Sequence, residues 1–213
     1  MMNRRAAMTG LGASLFVAGC AGSVSGPDAT PEQAAAAAYR HPGEPEIILY
    51  TMINNRTGAG AHSSMLINAP SQRVIYDPAG SVRFQNVPEI GDVLYGITPQ
   101  AKQFYESAHA RSTYRMLALS RPVDGAVAER ALKLVQSKGA AAPALCSNAV
   151  SDALGQLPGF ESLGGIWTPM KLANRFAKLS NVTSRELREN DSDDKDAAIA
   201  ALEAGKKTQA GRP

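Results

Sequence analysis

Three residues of this 213-residue chain have the types and order to cleave or transfer an acyl group: Cys146, His62 and Asp77. A thiol attacks only as the thiolate, so it needs a base beside it or a field that lowers its pKa. Cys146 stands in Ala144-Leu145-Cys146-Ser147-Asn148-Ala149-Val150, and Val150, Leu154 and Leu157 follow it at helical spacing. The spacing predicts a helix from Cys146 to Leu157, with the thiol on the buried stripe of its first turn. Free N–H groups and the positive end of the helix dipole there favour a thiolate and can donate to an oxyanion beside the sulfur. The same place also suits cysteine as a small buried hydrophobe.

The base is usually a histidine, and His41, His62 and His109 are available. His41, beside Pro42 in a Gly-, Ser-, Pro- and Ala-rich segment, is expected in solvent. His109, near the end of a predicted helix in Glu106-Ser107-Ala108-His109-Ala110-Arg111, is expected at the surface or on the helix C-terminal dipole. His62 opens a strand after the Gly-rich loop 54–61. A rigid strand end with room for a substrate main chain suits a general base, although an interior histidine bonded to its own loop reads the same way. Asp77 closes the following strand, where a carboxylate can orient an imidazole and stabilise its cation. Asp77-Pro78-Ala79-Gly80 is equally an ordinary turn start. If Asp77 faces away, a main-chain carbonyl or Gln72 would orient the ring.

These residues need a scaffold. Ile47 to Ile53 is a β-prone run and reads as a buried strand. Ser63–Ile67, Arg73–Asp77, Thr113–Leu119 and Val182–Leu187 read as further strands, with Asn68-Ala69-Pro70-Ser71-Gln72 as a hairpin turn. Thr98-Pro99 starts a helix over 101–110, Val123-Asp124 one that Gly139 stops, and Pro169 one that runs to Leu179. Gly91–Gly96 is ambiguous. Trp167, after Gly164-Gly165, is expected in the core. The pattern predicts an α+β domain: a small antiparallel sheet packed against helices, with the Cys146 helix on the sheet.

Composition narrows the chemistry. The formal net charge is +3, and the basic residues are scattered with no aromatic-interleaved stripe, so no nucleic-acid partner is expected. Three histidines and one thiol show no zinc spacing. Gly58-Ala59-Gly60-Ala61 lacks the Lys and Ser/Thr of a phosphate loop, and there is no Gly-x-Ser-x-Gly elbow. No cofactor and no metal are expected.

The second cysteine, Cys20, has its own setting. Met1-Met2-Asn3-Arg4-Arg5 is basic, Ala6–Ala18 is apolar and small, and Phe16-Val17-Ala18-Gly19-Cys20 resembles the lipobox of bacterial lipoproteins. The resemblance implies a signal peptide over 1–19, cleavage before Cys20 and lipidation of its thiol. Losing Arg4 and Arg5 takes the charge to about +1. Ala21 rather than Asp after Cys20 implies sorting to the outer membrane, facing the periplasm. No later run is long enough to span a bilayer, so the N-terminal lipid would be the membrane attachment. Cys146 would then be the one unpaired thiol of an exported chain. Residues 20–45 read as a flexible tether with a short helical spacer, 46–188 as the folded domain, and 189–213 as a charged, aromatic-free, disordered tail.

The order of His strand, polar-residue strand and Cys helix resembles the circularly permuted papain-like cysteine hydrolases related to NlpC/P60. The motifs are Gly60-Ala61-His62-Ser63-Ser64 and Leu145-Cys146-Ser147-Asn148, and the likeness covers 47–157. It implies a lipid-anchored envelope enzyme, a cysteine peptidase, amidase or acyltransferase. His62 would deprotonate Cys146, and the substrate would be a peptidoglycan peptide or an acyl lipid. The competing expectation is a non-catalytic envelope lipoprotein that keeps the fold as a binding module, with Cys146 structural.

Overall fold

The strand β1 (Glu46–Asn54) is the centre of the molecule, buried at every residue from Ile47 to Ile53. Its alternate side chains serve opposite faces of one sheet. Ile47 and Leu49 join one apolar cluster, and Ile48, Tyr50 and Met52 join the other. A strand covered on both faces reads as a continuous apolar run rather than an alternation. The computed structural model describes residues 28–80, 82–84, 86–194 and 200. Cys20 and the signal-like segment lie outside the described residues, as does the tail beyond 200.

The fold is α+β. Seven antiparallel strands form one open sheet. They are β1, β2 (Gly60–Asn68), β3 (Arg73–Tyr76), β4 (Glu89–Ile90), β5 (Val93–Leu94), β6 (Tyr114–Pro122) and β7 (Thr183–Leu187). Their order is β4-β5-β3-β2-β1-β6-β7. The five helices are α1 (Pro31–Ala37), α2 (Pro99–His109), α3 (Gly125–Lys138), α4 (Cys146–Leu154) and α5 (Pro169–Phe176). α3, α4 and α5 cover one face, through Leu132, Val150, Leu154, Leu172 and Phe176 among others. α2 covers the other through Tyr105. Thr98 caps α2, accepting from the Ala101 N–H at 3.1 Å, and Pro99 occupies its first turn.

Several segments differ from the sequence reading. The ambiguous Gly91–Gly96 stretch holds the two-residue strand β5, which pairs with β4 just before it and extends the sheet beyond β3. α4 stops at Leu154, short of the expected Leu157, and the Gly155 that follows packs against Gly164: a Cβ there would come within 2.6 Å of the Gly164 Cα. The segment read as a tether is packed from residue 28 onward. Thr30 and Gln33 cap α1 reciprocally, Ala34 enters the core, and the Arg73 N–H donates to the Tyr39 carbonyl at 2.7 Å. The start of the tail also docks. The buried Arg111 pairs with Asp191 at 3.1 Å, Ser107 Oγ donates to Glu189 at 2.7 Å, and the Thr113 N–H donates to Asp193 at 2.9 Å.

Candidate active site

The site forms where β3 ends and leaves half of β2 without a neighbour. The β2–β3 ladder runs from Asn68↔Arg73 to Met65↔Tyr76 and stops there. Residues 60–64 of β2 therefore have an open edge on that side. The N-terminus of α4 fills it. Ser147 Oγ lies 3.0 Å from Ser63 Oγ, both buried, which pins the first turn of α4 to the strand. At the next rung of the ladder the Ser63 N–H donates to the Cys146 sulfur instead of to a β3 carbonyl.

His62 reaches over the same edge. A shift in the β1–β2 register beside Met52↔His62 turns the strand there. Asp77 follows β3 directly, and continuing the register sets it opposite Ser64, on the face that His62 shares. The His62 Nε2 to Asp77 Oδ1 distance is 2.6 Å. With Nε2 committed to the carboxylate, Nδ1 is left for the thiol of Cys146, to which the ring is also hydrogen-bonded. The structure thus brings His62, Asp77 and Cys146 together. Gln72 lies in the β2–β3 turn, some six strand residues from the level of His62, roughly 20 Å away.

Burial works against the charge on all three groups, and their mutual contacts outweigh it. The His62 side chain is 14% exposed. Burial pulls its pKa down, but the charge and hydrogen bond of Asp77, helped by Cys146, push it up to about 10. Asp77 is held below its ordinary value: burial would raise it, and His62 more than compensates. Burial likewise raises the Cys146 thiol, while the His62 hydrogen bond and charge, the Ser63 N–H and the Ser147 hydroxyl bring it below its ordinary value. The directions agree on an imidazolium between a carboxylate and a thiolate.

Two loops must hold still for this arrangement, and Asp92 ties them together. Its Oδ2 accepts from the Ala79 N–H at 3.0 Å and from the Ala141 N–H at 2.7 Å. Its carbonyl accepts from the Asp77 N–H at 2.8 Å. One residue therefore anchors both the Asp77 turn and the loop that feeds Cys146. Each loop carries a non-glycine residue in the left-handed region, Ala79 at φ 55° and Ala144 at φ 65°. Such backbone persists only where its surroundings impose it. Gly60 is required at the far side: a Cβ there would meet Pro169 at 2.8 Å and the Met170 nitrogen at 2.9 Å, so α5 starts flush against the strand two residues before His62.

The arrangement can deprotonate a thiol, hold the resulting ion pair and return a proton to a leaving group. α4 begins at Cys146 with no side chain capping its first-turn N–H groups, so oxyanion donors stand beside the sulfur. Among the described residues no cluster of His, Cys, Asp and Glu could hold a metal ion.

One expectation holds in part and one fails here. His109 stands in the last turn of α2, as one of its two expected placements has it, but it is not a surface residue. It is 5% exposed, and its ring lies parallel to that of His62 within 9°, centroids 6.2 Å apart. The signal was available, because Ala101, Tyr105, Ala108 and His109 recur on one helical face. Trp167 is not in the core but 64% exposed, the one large exposed hydrophobic side chain among the described residues. His41 is half-buried beside Tyr39, far from the thiol in the fold. The chain matches no protein-family model, no curated protein and no solved structure.

Proposed function

We propose that the protein is a cysteine hydrolase or acyltransferase of circularly permuted papain-like design. The observation that carries this reading is the His62 ring, held by Asp77 at 2.6 Å and hydrogen-bonded to the Cys146 thiol. Cys146 attacks an amide or ester carbonyl as the thiolate, and the first-turn N–H groups of α4 take the oxyanion. His62 then gives its proton to the departing amine or alcohol. The acyl-thioester passes to water in hydrolysis or to another nucleophile in transfer, after His62 has taken the proton of that second attacker. Asp77 keeps the ring oriented and compensates its charge throughout. The lipobox-like segment around Cys20 extends the proposal to a lipid-anchored protein of the bacterial envelope, with peptidoglycan peptides or acyl lipids as the substrate classes.

A second reading, a binding module that keeps the fold without catalysis, is favoured by one observation: Cys146 is only 4% exposed. The two part on thiol reactivity. The catalytic reading expects folded protein to be alkylated at Cys146 by iodoacetamide at pH 6, where an ordinary thiol is about 0.3% ionised. It also expects His62→Ala to abolish that low-pH reactivity. A wild-type profile that follows an ordinary cysteine would overturn it. The anchoring proposal expects Cys20→Ser to block lipid labelling in cells, and normal labelling of that variant would refute it.

A further inference from the structure

The His62–Asp77 pair is backed by two further side chains from α2, on the face of the sheet away from α4. Tyr105, on α2, is fully buried, and its hydroxyl lies 2.6 Å from Ser64 Oγ. Ser64 is the residue opposite Asp77 in the extended register, so the hydroxyl stands between the strand and the carboxylate, and it is hydrogen-bonded to Asp77. An ionised carboxylate only accepts. The single Tyr105 proton therefore goes to Asp77, and Ser64 supplies the proton for the tyrosine oxygen. One turn later on α2, His109 lies against both rings. Its centroid is 4.3 Å from that of Tyr105 and 6.2 Å from that of His62, the latter in a parallel stack. The Tyr105 carbonyl accepts from His109 Nδ1 at 2.8 Å, which fixes the plane of the ring.

We infer that Tyr105 and His109 are positioning residues for the proposed Cys–His chemistry. Tyr105 holds the Asp77 carboxylate on Nε2 through its hydroxyl, and His109 sets the His62 ring plane by stacking. Neither touches the thiol. Both act through the imidazole, and the inference rests on the catalytic reading above. A purely apolar core position would have been served by Phe at 105. A buried hydroxyl placed on a buried carboxylate is costly unless both are satisfied, which is the case here.

The test is Tyr105→Phe, which keeps the ring and deletes the proton on Asp77. The readout is the pH dependence of Cys146 alkylation, a quantity that core packing alone does not move. Loss of one hydrogen bond to a charged group predicts a fall in the pH 6 rate on the order of tenfold or more. The Tyr105→Phe change should have no further effect in an Asp77→Asn background, because both act through one carboxylate. His109→Phe, which retains a stackable ring but loses the charge that helps hold Asp77 ionised, should keep more of the pH 6 rate than His109→Ala. A wild-type profile in Tyr105→Phe, with the His62→Ala profile still shifted, overturns this inference and leaves the catalytic reading standing. An ordinary-cysteine profile in the wild type overturns the catalytic reading itself. Should Tyr105→Phe not fold, the wild-type protein decides: a slowly exchanging Tyr105 hydroxyl proton should be visible by NMR and disappear on Asp77→Asn. Its absence in the wild type overturns the inference.

Discussion

Gly80 offers a way to break the site without touching any of its functional side chains. A methyl at position 80 would sit 2.1 Å from Asp77 Oδ2 and 2.4 Å from its Cγ, where ordinary contact begins near 3.4 Å. The carboxylate must retreat by about 1.3 Å. The His62–Asp77 bond is 2.6 Å, so a retreat along its line opens it to about 3.9 Å, past hydrogen-bond reach. One hydrogen bond between charged groups is worth ~1.5–3 kcal/mol, and each pKa unit ~1.4 kcal/mol. Gly80→Ala should therefore lower the His62 pKa by about 1–2 units and raise the Cys146 thiol correspondingly. Iodoacetamide alkylation at pH 6 should slow about 10- to 100-fold. The melting temperature should fall by ~4–8 °C for a loss of ~2 kcal/mol in a chain of this size. In an Asp77→Ala background the carboxylate clash is gone and only the Asp77 carbonyl oxygen, 2.8 Å from the added methyl, remains, so the second substitution should leave the alkylation profile nearly unchanged. A wild-type alkylation profile in Gly80→Ala, or additive effects with Asp77→Ala, would refute the claim that this carboxylate governs the thiol.

Other outcomes follow from the same coordinates. His62 is raised from 6.5 to about 10, so its contribution to stability is complete below pH 6.5 and fades as pH rises towards the folded value. The thiol, whose depressed pKa works in the opposite sense, is removed for this measurement with Cys146→Ala. That variant should lose melting temperature as pH rises above 6.5, ending below the 10 of the intact site because the Cys146 contribution is gone, and Cys146→Ala/His62→Gln should not; parallel curves would sink the linkage. On the acid side Asp77, held below 3.8, stabilises above that pH and should stop doing so as pH falls through its folded value. The curves of Cys146→Ala with and without Asp77→Asn should converge there. A truncation after Asp194 should melt like the full chain, whereas one after Arg188 strips Arg111 of Glu189 and Asp191. Because Asp191 is largely exposed, the expected cost is ~1 kcal/mol, or about 3 °C; identical melting of the two truncations would show that residues 189–194 contribute nothing.

The sequence carried the sheet's middle and the three groups of the candidate site because both are local signals. Ile47–Ile53, Arg73–Asp77 and the Val150/Leu154 repeat announce their period without help from the rest of the chain. Asp77 could be named but not oriented. Whether it turns toward His62 depends on where β3 stops and on the turn that follows, which Asp92 holds from outside the strand. Tyr105 and His109 were missed for a similar reason. His109 stands in the polar stretch Glu106-Ser107-Ala108-His109-Ala110-Arg111, which reads as a helix end at the surface or on the dipole. Yet Glu106 is buried and satisfied by Tyr50 at 2.9 Å, Lys102 at 2.6 Å and Arg185 at 2.7 Å. The burial of Glu106 depends on partners from other elements that a linear pattern does not show, although Ala101, Tyr105 and Ala108 do mark one face. Trp167 was misplaced because Gly164-Gly165 fixes a turn without fixing which way the next side chain points.

The position of β1 has a consequence for how the chain acquires its shape. β2 follows β1 through a short loop and can zip onto it at once. β6, which closes the other side, begins 60 residues after β1 ends. At ~5–20 residues per second of synthesis, the free side of Ile47–Ile53 waits roughly 3–12 s for its partner. That segment is apolar or uncharged throughout, β-prone, and without proline, the profile of a self-pairing stretch. The finished sheet guards its own margins. One ends in the two-residue β4, and the other in β7, which carries Arg185 and Glu186. The vulnerable strand is therefore the one that is safest in the native protein. Aggregates formed during rapid expression should be seeded by 47–53, and slowing translation between Asn54 and Tyr114 should worsen them, whereas slowing it after Pro122 should not.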